Sequence, residues 1–159
     1  MSIVATTVDD AEEISTIVRE SHKDVAGEFG LNIDNAPKHP SFCRKDWVLS
    51  DFGRGEEYFV YKDGGAGIGC VAFESPRSDV AYLNRLSVLP KYRHKGIGKA
   101  LVMHVFSYSK KKRIQTVSIG IIAKNARLRD WYLKLGFVEG EIKTFSYLPF
   151  DVRYMSFAL

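Results

Sequence analysis

The chain has 159 residues, of which 45% are apolar, and a formal net charge of +4. That size suits one domain with a sizeable core, and no apolar run approaches the roughly 20 residues of a membrane-spanning helix. Cys43 and Cys70 lie far apart with no CxxC or Cys/His cluster, which argues against a disulfide framework or a zinc site, so no metal is expected.

In chain order, SIVATTV alternates like a strand, and DDAEEISTIVRESH puts Ile14, Ile17, Val18 and Ser21 on one helical face with acids in its first turn. Glycines, prolines and asparagines between Gly27 and Pro40 predict a loop or broken helix, and SFCRKDWVLSDF reads as helical again. EYFVY and IGCVAFE, joined by the turn residues KDGG, predict an antiparallel hairpin. VAYLNRLSVL after the break SPRSD continues the meander until Pro90, which has no N–H to give to a ladder. From Gly96 to about Lys111 the positions Ile97, Leu101, Val105 and Tyr108 form one helical stripe, and TVSIGIIA reads as a buried strand. Strand, helix and strand at this spacing predict a βαβ crossover with parallel strands. NARLRDWYLKLG then predicts a helix ending at Gly136, followed by strands in FVEGEIKTFSY and VRYMSFAL. The expected fold class is α/β, a single domain over residues 1–159 whose mixed sheet is antiparallel early and parallel at the crossover, with flanking helices.

The positive balance favours an anionic partner. Its densest block, KKKR at 110–113, falls where the third helix would end, and cations suit that end of a helix dipole. A nucleic-acid partner is therefore not expected. Neither is a membrane: no charged leader with an apolar block follows Met1, which leaves the cytoplasm as the expected location.

The segment RHKGIGKALV at 93–102 carries the chemistry. A strand ends, a glycine turn follows and a helix begins, so unpaired main-chain N–H groups project from the helix start and form an anion site. Gly96 and Gly98 let an anion approach the backbone closely, while Arg93, Lys95 and Lys99 add positive charge. A nucleoside-triphosphate loop needs GxxxxGK followed by Ser or Thr, and GIGKA has neither the spacing nor the hydroxyl. The dinucleotide fingerprint GxGxxG fails at Leu101. By itself the GIG turn remains open to a purely structural reading.

Arg93, His94, Lys95, Gly96, Ile97 and Gly98 match the signature of Arg or Gln, two residues, Gly, one residue, then Gly or Ala, and the chain here resembles the GCN5-related N-acetyltransferase (GNAT) family. LSVLPKYRHKGIGKAL is similar to that family's acetyl-CoA segment, and NARLRDWYLKLGF to its second motif, with Tyr132, three intervening residues, then Gly136 and Phe137. The resemblance implies an acetyl-CoA-dependent N-acetyltransferase acting on a primary amine of a small molecule or protein by direct attack in a ternary complex. It implies that the amides around His94, Lys95, Gly96, Ile97, Gly98 and Lys99 hold the CoA pyrophosphate. Leu86, Ser87 and Val88 would pair with the pantetheine amides, and Asn125 would contact that arm from the other side.

For catalysis the resemblance implies Tyr132 as proton donor to the thiolate; by helical pattern alone Tyr132 belongs to an apolar face with Leu128, Trp131 and Leu135. A backbone N–H near Val88 is the expected oxyanion donor, with the parallel strands splaying after Val88. The family's usual Glu or His on the strand before the cofactor motif is missing, since the facing residues are Tyr82 and Asn84. Asn84 orienting a water, with Glu74 receiving the proton, is the substitute expected here; loss of the proton to solvent and a surface role for Glu74 remain open alternatives. His22, His39 and His104 are assigned no role. The missing base leaves a second reading, a CoA-binding sensor or regulator without turnover. Phe29, Phe42, Trp47, Phe145, Tyr147 and Phe150 are candidates to line an acceptor pocket, and a homodimer is left open.

Overall fold

A computed structural model describes residues 1–159. Its strands are β1 (Ser2–Ala5), β2 (Glu57–Asp63), β3 (Ala66–Arg77), β4 (Val80–Val88), β5 (Thr116–Ile122), β6 (Val138–Lys143) and β7 (Val152–Ala158), and its helices are α1 (Ala11–Glu28), α2 (Lys45–Gly53), α3 (Ile97–Lys111) and α4 (Ala126–Leu135). The strands form one sheet in the order β1-β2-β3-β4-β5-β7-β6. Every neighbouring pair is antiparallel except β4 and β5. The expected mixed α/β architecture is therefore observed, with the parallel pair at the crossover through α3.

Helices cover both faces of the sheet, as a two-sided apolar sheet requires. On one face Val71, Phe73, Leu83, Val117, Ile119 and Met155 meet Leu101, Val102, Val105 and Phe106 of α3 and Tyr132 of α4. On the other, Tyr58, Val60, Cys70 and Ala72 meet Ile14, Ile17 and Val18 of α1 and Val48 of α2. Both cysteines are buried and free, as the spacing predicts. No helix is long and apolar enough to cross a membrane.

Local chemistry explains the element ends. Thr7 and Asp10 form a reciprocal cap just before α1, satisfying amides that a helix start leaves open. α4 stops at Gly136, whose φ of +105° is the left-handed conformation that favours glycine. There the Gly136 and Phe137 amides donate to Leu133 O and Tyr132 O. A Cβ on Gly136 would also lie 2.7 Å from the Phe157 ring, so this position excludes any side chain.

Two departures from regular pairing shape the site. Cys70 faces Ser87 and Ala72 faces Asn84, so one residue of β3 opposes two of β4, a bulge at Arg85 and Leu86. Arg85 takes φ of +51° there, uncommon for a non-glycine residue. In addition, β4 and β5 pair only over Val80–Tyr82 with Thr116–Ser118. The strands thus part after Tyr82, well before the Val88 expected from sequence, and the opening is correspondingly longer.

Candidate active site

The parted strands open a cleft of about 840 Å³. One wall is β4, the turn after it and the start of α3; the other is β5 and α4, and the end of α1 closes one side. At its mouth, His94 (φ +62°) and Gly96 (φ +81°) adopt left-handed conformations. This alternation turns successive N–H groups outward into an anion-binding concavity. None of the amides from His94 to Lys99 has an acceptor in the protein; Ala100 is the first to bond, to Gly96 O at 3.0 Å. Exposed unpaired amides at a helix start are what a diphosphate requires, so this turn fits the phosphates of CoA. Gly98 meets the other wall closely, since a Cβ on it would lie 3.3 Å from the Trp131 ring.

The charged neighbours divide. Lys99 lines the cleft, whereas Lys95 lies over the Tyr92 ring, 5.7 Å from its centroid. Arg93, expected to add charge at the phosphates, also lines the cleft, and its guanidinium reaches back to α1. Its Nη2 donates to Ser21 O at 2.6 Å, its Nε to Val88 O at 3.2 Å, and its Nη1 pairs with Asp24 at 2.5 Å. It is a strut between α1 and the end of β4 because the planar guanidinium can satisfy several oxygens at once.

Leu86, Ser87 and Val88 line the cleft. The Leu89 amide bonds to Ile68 O across β3. Amides of alternate strand residues face opposite edges, so the Val88 N–H faces the open edge. Asn125 is buried and caps α4, its Oδ1 accepting from the Leu128 N–H at 3.2 Å.

Tyr132 is only 4% exposed. Its ring packs between Trp131 and Phe137, centroids 5.0 and 5.1 Å away. It lines the cleft, and its hydroxyl has no hydrogen-bond partner in the protein. Burial pushes its phenol above the ordinary value, which keeps the proton on the oxygen at neutral pH. The apolar-face reading and the site reading thus coincide: the ring is core, and its oxygen end belongs to the cleft.

A sequence model described as the Acetyltransferase (GNAT) family matches residues 11–137. The chain belongs to the GNAT family. It is 33% identical over 75 residues, 47% of its length, to the ribosomal protein bS18-alanine N-acetyltransferase of Escherichia coli. The matched segments span only 40% and 51% of the length of the curated relatives. The crystal structure of the ribosomal-protein-S18-alanine N-acetyltransferase from Escherichia coli superposes with a TM-score of 0.77 at 20% identity, covering 99% of this chain and 92% of that one. A Salmonella typhimurium protein solved with its cofactor acetyl-CoA superposes at 0.70 with 19% identity, covering 100% and 94%. At such identities these structures establish the fold.

This GNAT domain departs from its sequence-based expectations at the proton acceptor. Asn84 lines the cleft but Glu74 does not. Glu74 pairs with Tyr82, two residues along β3 from the Ala72 that faces Asn84, and makes no hydrogen bond to Asn84. The carboxylate joined to Asn84 is Glu56, whose Oε1 accepts from Asn84 Nδ2 at 3.0 Å. Because the amide nitrogen is held there, Asn84 Oδ1 is left as the free end.

Glu56 belongs to a buried ionic group that sequence reasoning did not find. Asp51, 2% exposed, accepts from Tyr58 Oη at 2.6 Å and pairs with Arg85 at 2.9 Å and with Arg54. Arg54 also pairs with Glu56 at 3.1 Å. Burial raises the Glu56 carboxyl, with Asn84 opposing and Asp51 adding to the rise. Arg85 stands in the bulge of β4 and its guanidinium reaches Asp51 of α2, a pairing that no sequence pattern announced. Of the proposed aromatic acceptor pocket, Phe150 alone lines the cleft; Tyr147 is 70% exposed.

Proposed function

We propose that this GNAT domain is an acetyl-CoA-dependent N-acetyltransferase that moves the acetyl group to a primary amine bound in the same cleft. The observation that carries this reading is the run of unpartnered amides from His94 to Lys99, opening onto a cleft that holds the unpartnered Tyr132 hydroxyl. Acetyl-CoA supplies the activated acyl group as a thioester. The turn amides and Lys99 bind its diphosphate, and the open edge of β4 at Leu86 to Val88 aligns the pantetheine arm as an added strand would. Asn125 bounds that arm on the α4 side.

Three groups of the chain then meet the needs of acyl transfer. The Val88 N–H donates to the acyl oxygen as negative charge develops there, a contribution of a few kcal/mol in such sites. The Tyr132 hydroxyl gives its proton to the departing sulfur. Asn84 Oδ1, fixed outward by Glu56, accepts an N–H of the entering amine. The acceptor itself is a primary amine, small or at a protein terminus; the similarity to an enzyme named for a ribosomal-protein alanine supports including peptide α-amines among the candidates.

The test is calorimetric titration with acetyl-CoA followed by thiol release over a panel of primary amines that includes short peptides. Binding with amine-dependent thiol release is expected. Binding without release would leave the sensor reading, and the absence of binding at high micromolar concentration would overturn both.

A further inference from the structure

No carboxylate or imidazole projects from β4 into the cleft, where Tyr82 and Asn84 stand. Two histidines distant in sequence meet across the same space instead. His22 of α1 and His39 of the following segment both line the cleft, with ring centroids 6.1 Å apart and planes at 77°. Their partners fix where the protons sit. Val18 O, which can only accept, lies 2.8 Å from His22 Nδ1. His22 Nδ1 therefore carries the proton and Nε2 the lone pair. The Ser41 main-chain N–H, which can only donate, lies 3.2 Å from His39 Nδ1. His39 accordingly carries its proton on Nε2. Neither Nε2 has a partner in the protein, so the pair offers one acceptor and one donor.

Arg93 places the acceptor near the chemistry. One guanidinium binds both Ser21 O and Val88 O. The main chain beside His22 is thus tied to the end of β4 through one guanidinium, and His22 and Val88 line the same cleft. We propose, building on the acetyl-transfer reading above, that His22 is the general base of this site, with His39 as the residue that positions its ring. As the amine nitrogen bonds to the acyl carbon and the carbon–sulfur bond breaks, the nitrogen's proton passes to His22 Nε2. Tyr132 protonates the sulfur, and solvent exchange restores both groups.

The charged surroundings suit that role. Burial lowers the His22 imidazole, as do Arg93 from the turn and Arg85 from β4, against the Val18 carbonyl and Asp24 on α1. His39 beside it is itself lowered to about 4 by burial and by His22. The His22 ring is therefore neutral and ready to accept a proton near pH 7.

Two measurements on the full chain test this. Long-range imidazole 15N–1H spectra at pH 7 are expected to show His22 neutral with its proton on Nδ1, and to titrate it below the ordinary imidazole value. A charged ring, or a proton on Nε2, overturns the proposal whatever the turnover. His22→Asn retains a donor for Val18 O but has nothing at the Nε2 position. It is expected to lower kcat about 100-fold, to remove the acid limb of the kcat/KM profile and to leave acetyl-CoA affinity unchanged. Wild-type turnover with an unaffected His22→Asn variant overturns the base alone. A wild-type chain that binds acetyl-CoA and releases no thiol with any amine overturns the transfer reading and the base together.

Discussion

The two sides of the cleft are built on different principles. The turn side uses the backbone: amides from His94 to Lys99 stay unpaired because left-handed His94 and Gly96 stand on either side of Lys95 and a helix begins just after. The α1 side uses side chains. His22 and His39 are oriented by Val18 O and Ser41, while Asn84, Glu56, Asp51 and Arg85 are linked to one another with Arg54 between the two acids. A backbone site depends on where glycine is allowed, whereas a side-chain site depends on every partner in the network. The first should fail abruptly at one residue and the second should fail by degrees.

The sharpest way to break that contrast is at Gly96. A Cβ there would meet no neighbour within 4 Å, yet the φ of +81° is costly for a branched residue such as valine. Relief of that strain would turn amides away from the anion. Each lost charged hydrogen bond is worth about 1.5–3 kcal/mol, so Gly96→Val is expected to weaken acetyl-CoA by roughly 100-fold or more. Calorimetry measures it, with circular dichroism to confirm the fold; retained affinity would show that the turn amides do not grip the diphosphate.

Tyr132→Phe comes next. It keeps the ring between Trp131 and Phe137 and deletes only the oxygen. Thiol release should fall about 100-fold while acetyl-CoA binding holds. Equal loss of binding would make Tyr132 a packing residue of the cofactor wall, and unchanged turnover would remove it from proton transfer.

Arg93→Lys separates charge from geometry at the seam of the two sides. If Arg93 acted on the phosphates through its charge, lysine would largely replace it. As a strut it needs the fork that reaches Ser21 O, Val88 O and Asp24 together. The expected outcome is a loss of about 1–2 kcal/mol in unfolding free energy by urea titration, with acetyl-CoA affinity changed less than about threefold and its salt dependence retained. A large drop in affinity at unchanged stability would return Arg93 to the phosphate site.

The same division explains what the sequence could reveal. Periodicity located the helices and strands that bury one face, although β6 is exposed along its whole length, and GIG after a strand located the turn with unpaired amides because glycine spacing is a local signal. Even Tyr132 was legible, since its helix carries the second motif. The bulge at Arg85 was not: it exists only as a register shift between two strands, and nothing in VAYLNRLSVL marks it. Nor was the place where β4 parts from β5, after Tyr82 rather than Val88, which depends on how far two strands distant in sequence stay paired. Glu74 was the carboxylate expected at the end of the preceding strand, and pairing places it opposite Tyr82, while the carboxylate bonded to Asn84 is Glu56, just before β2. His22 and His39 looked idle because they are 17 positions apart and no motif links them.

The smallest expected effect sharpens the comparison most finely, because it reads the electrostatics of the α1 side without any ligand. His39 has its imidazole lowered from 6.5 to about 4, chiefly by burial. Between those two values the unfolded chain binds a proton there that the folded chain refuses, so stability falls as pH drops through that window and is fully restored above about 6.5. Asp24 does not enter this window, since Arg93 holds its carboxyl below the usual range. Glu56 acts the other way, its raised carboxyl favouring the folded state as pH falls. The wild-type curve alone therefore mixes opposing slopes, and a variant must isolate the imidazole. His39→Asn keeps an acceptor for the Ser41 amide but cannot titrate. Urea midpoints at pH 7 and pH 5 should draw closer together in the variant than in the wild-type chain. If both chains lose the same stability over that interval, His39 is not held neutral by its surroundings, and the α1 side is more open to water than its packing indicates.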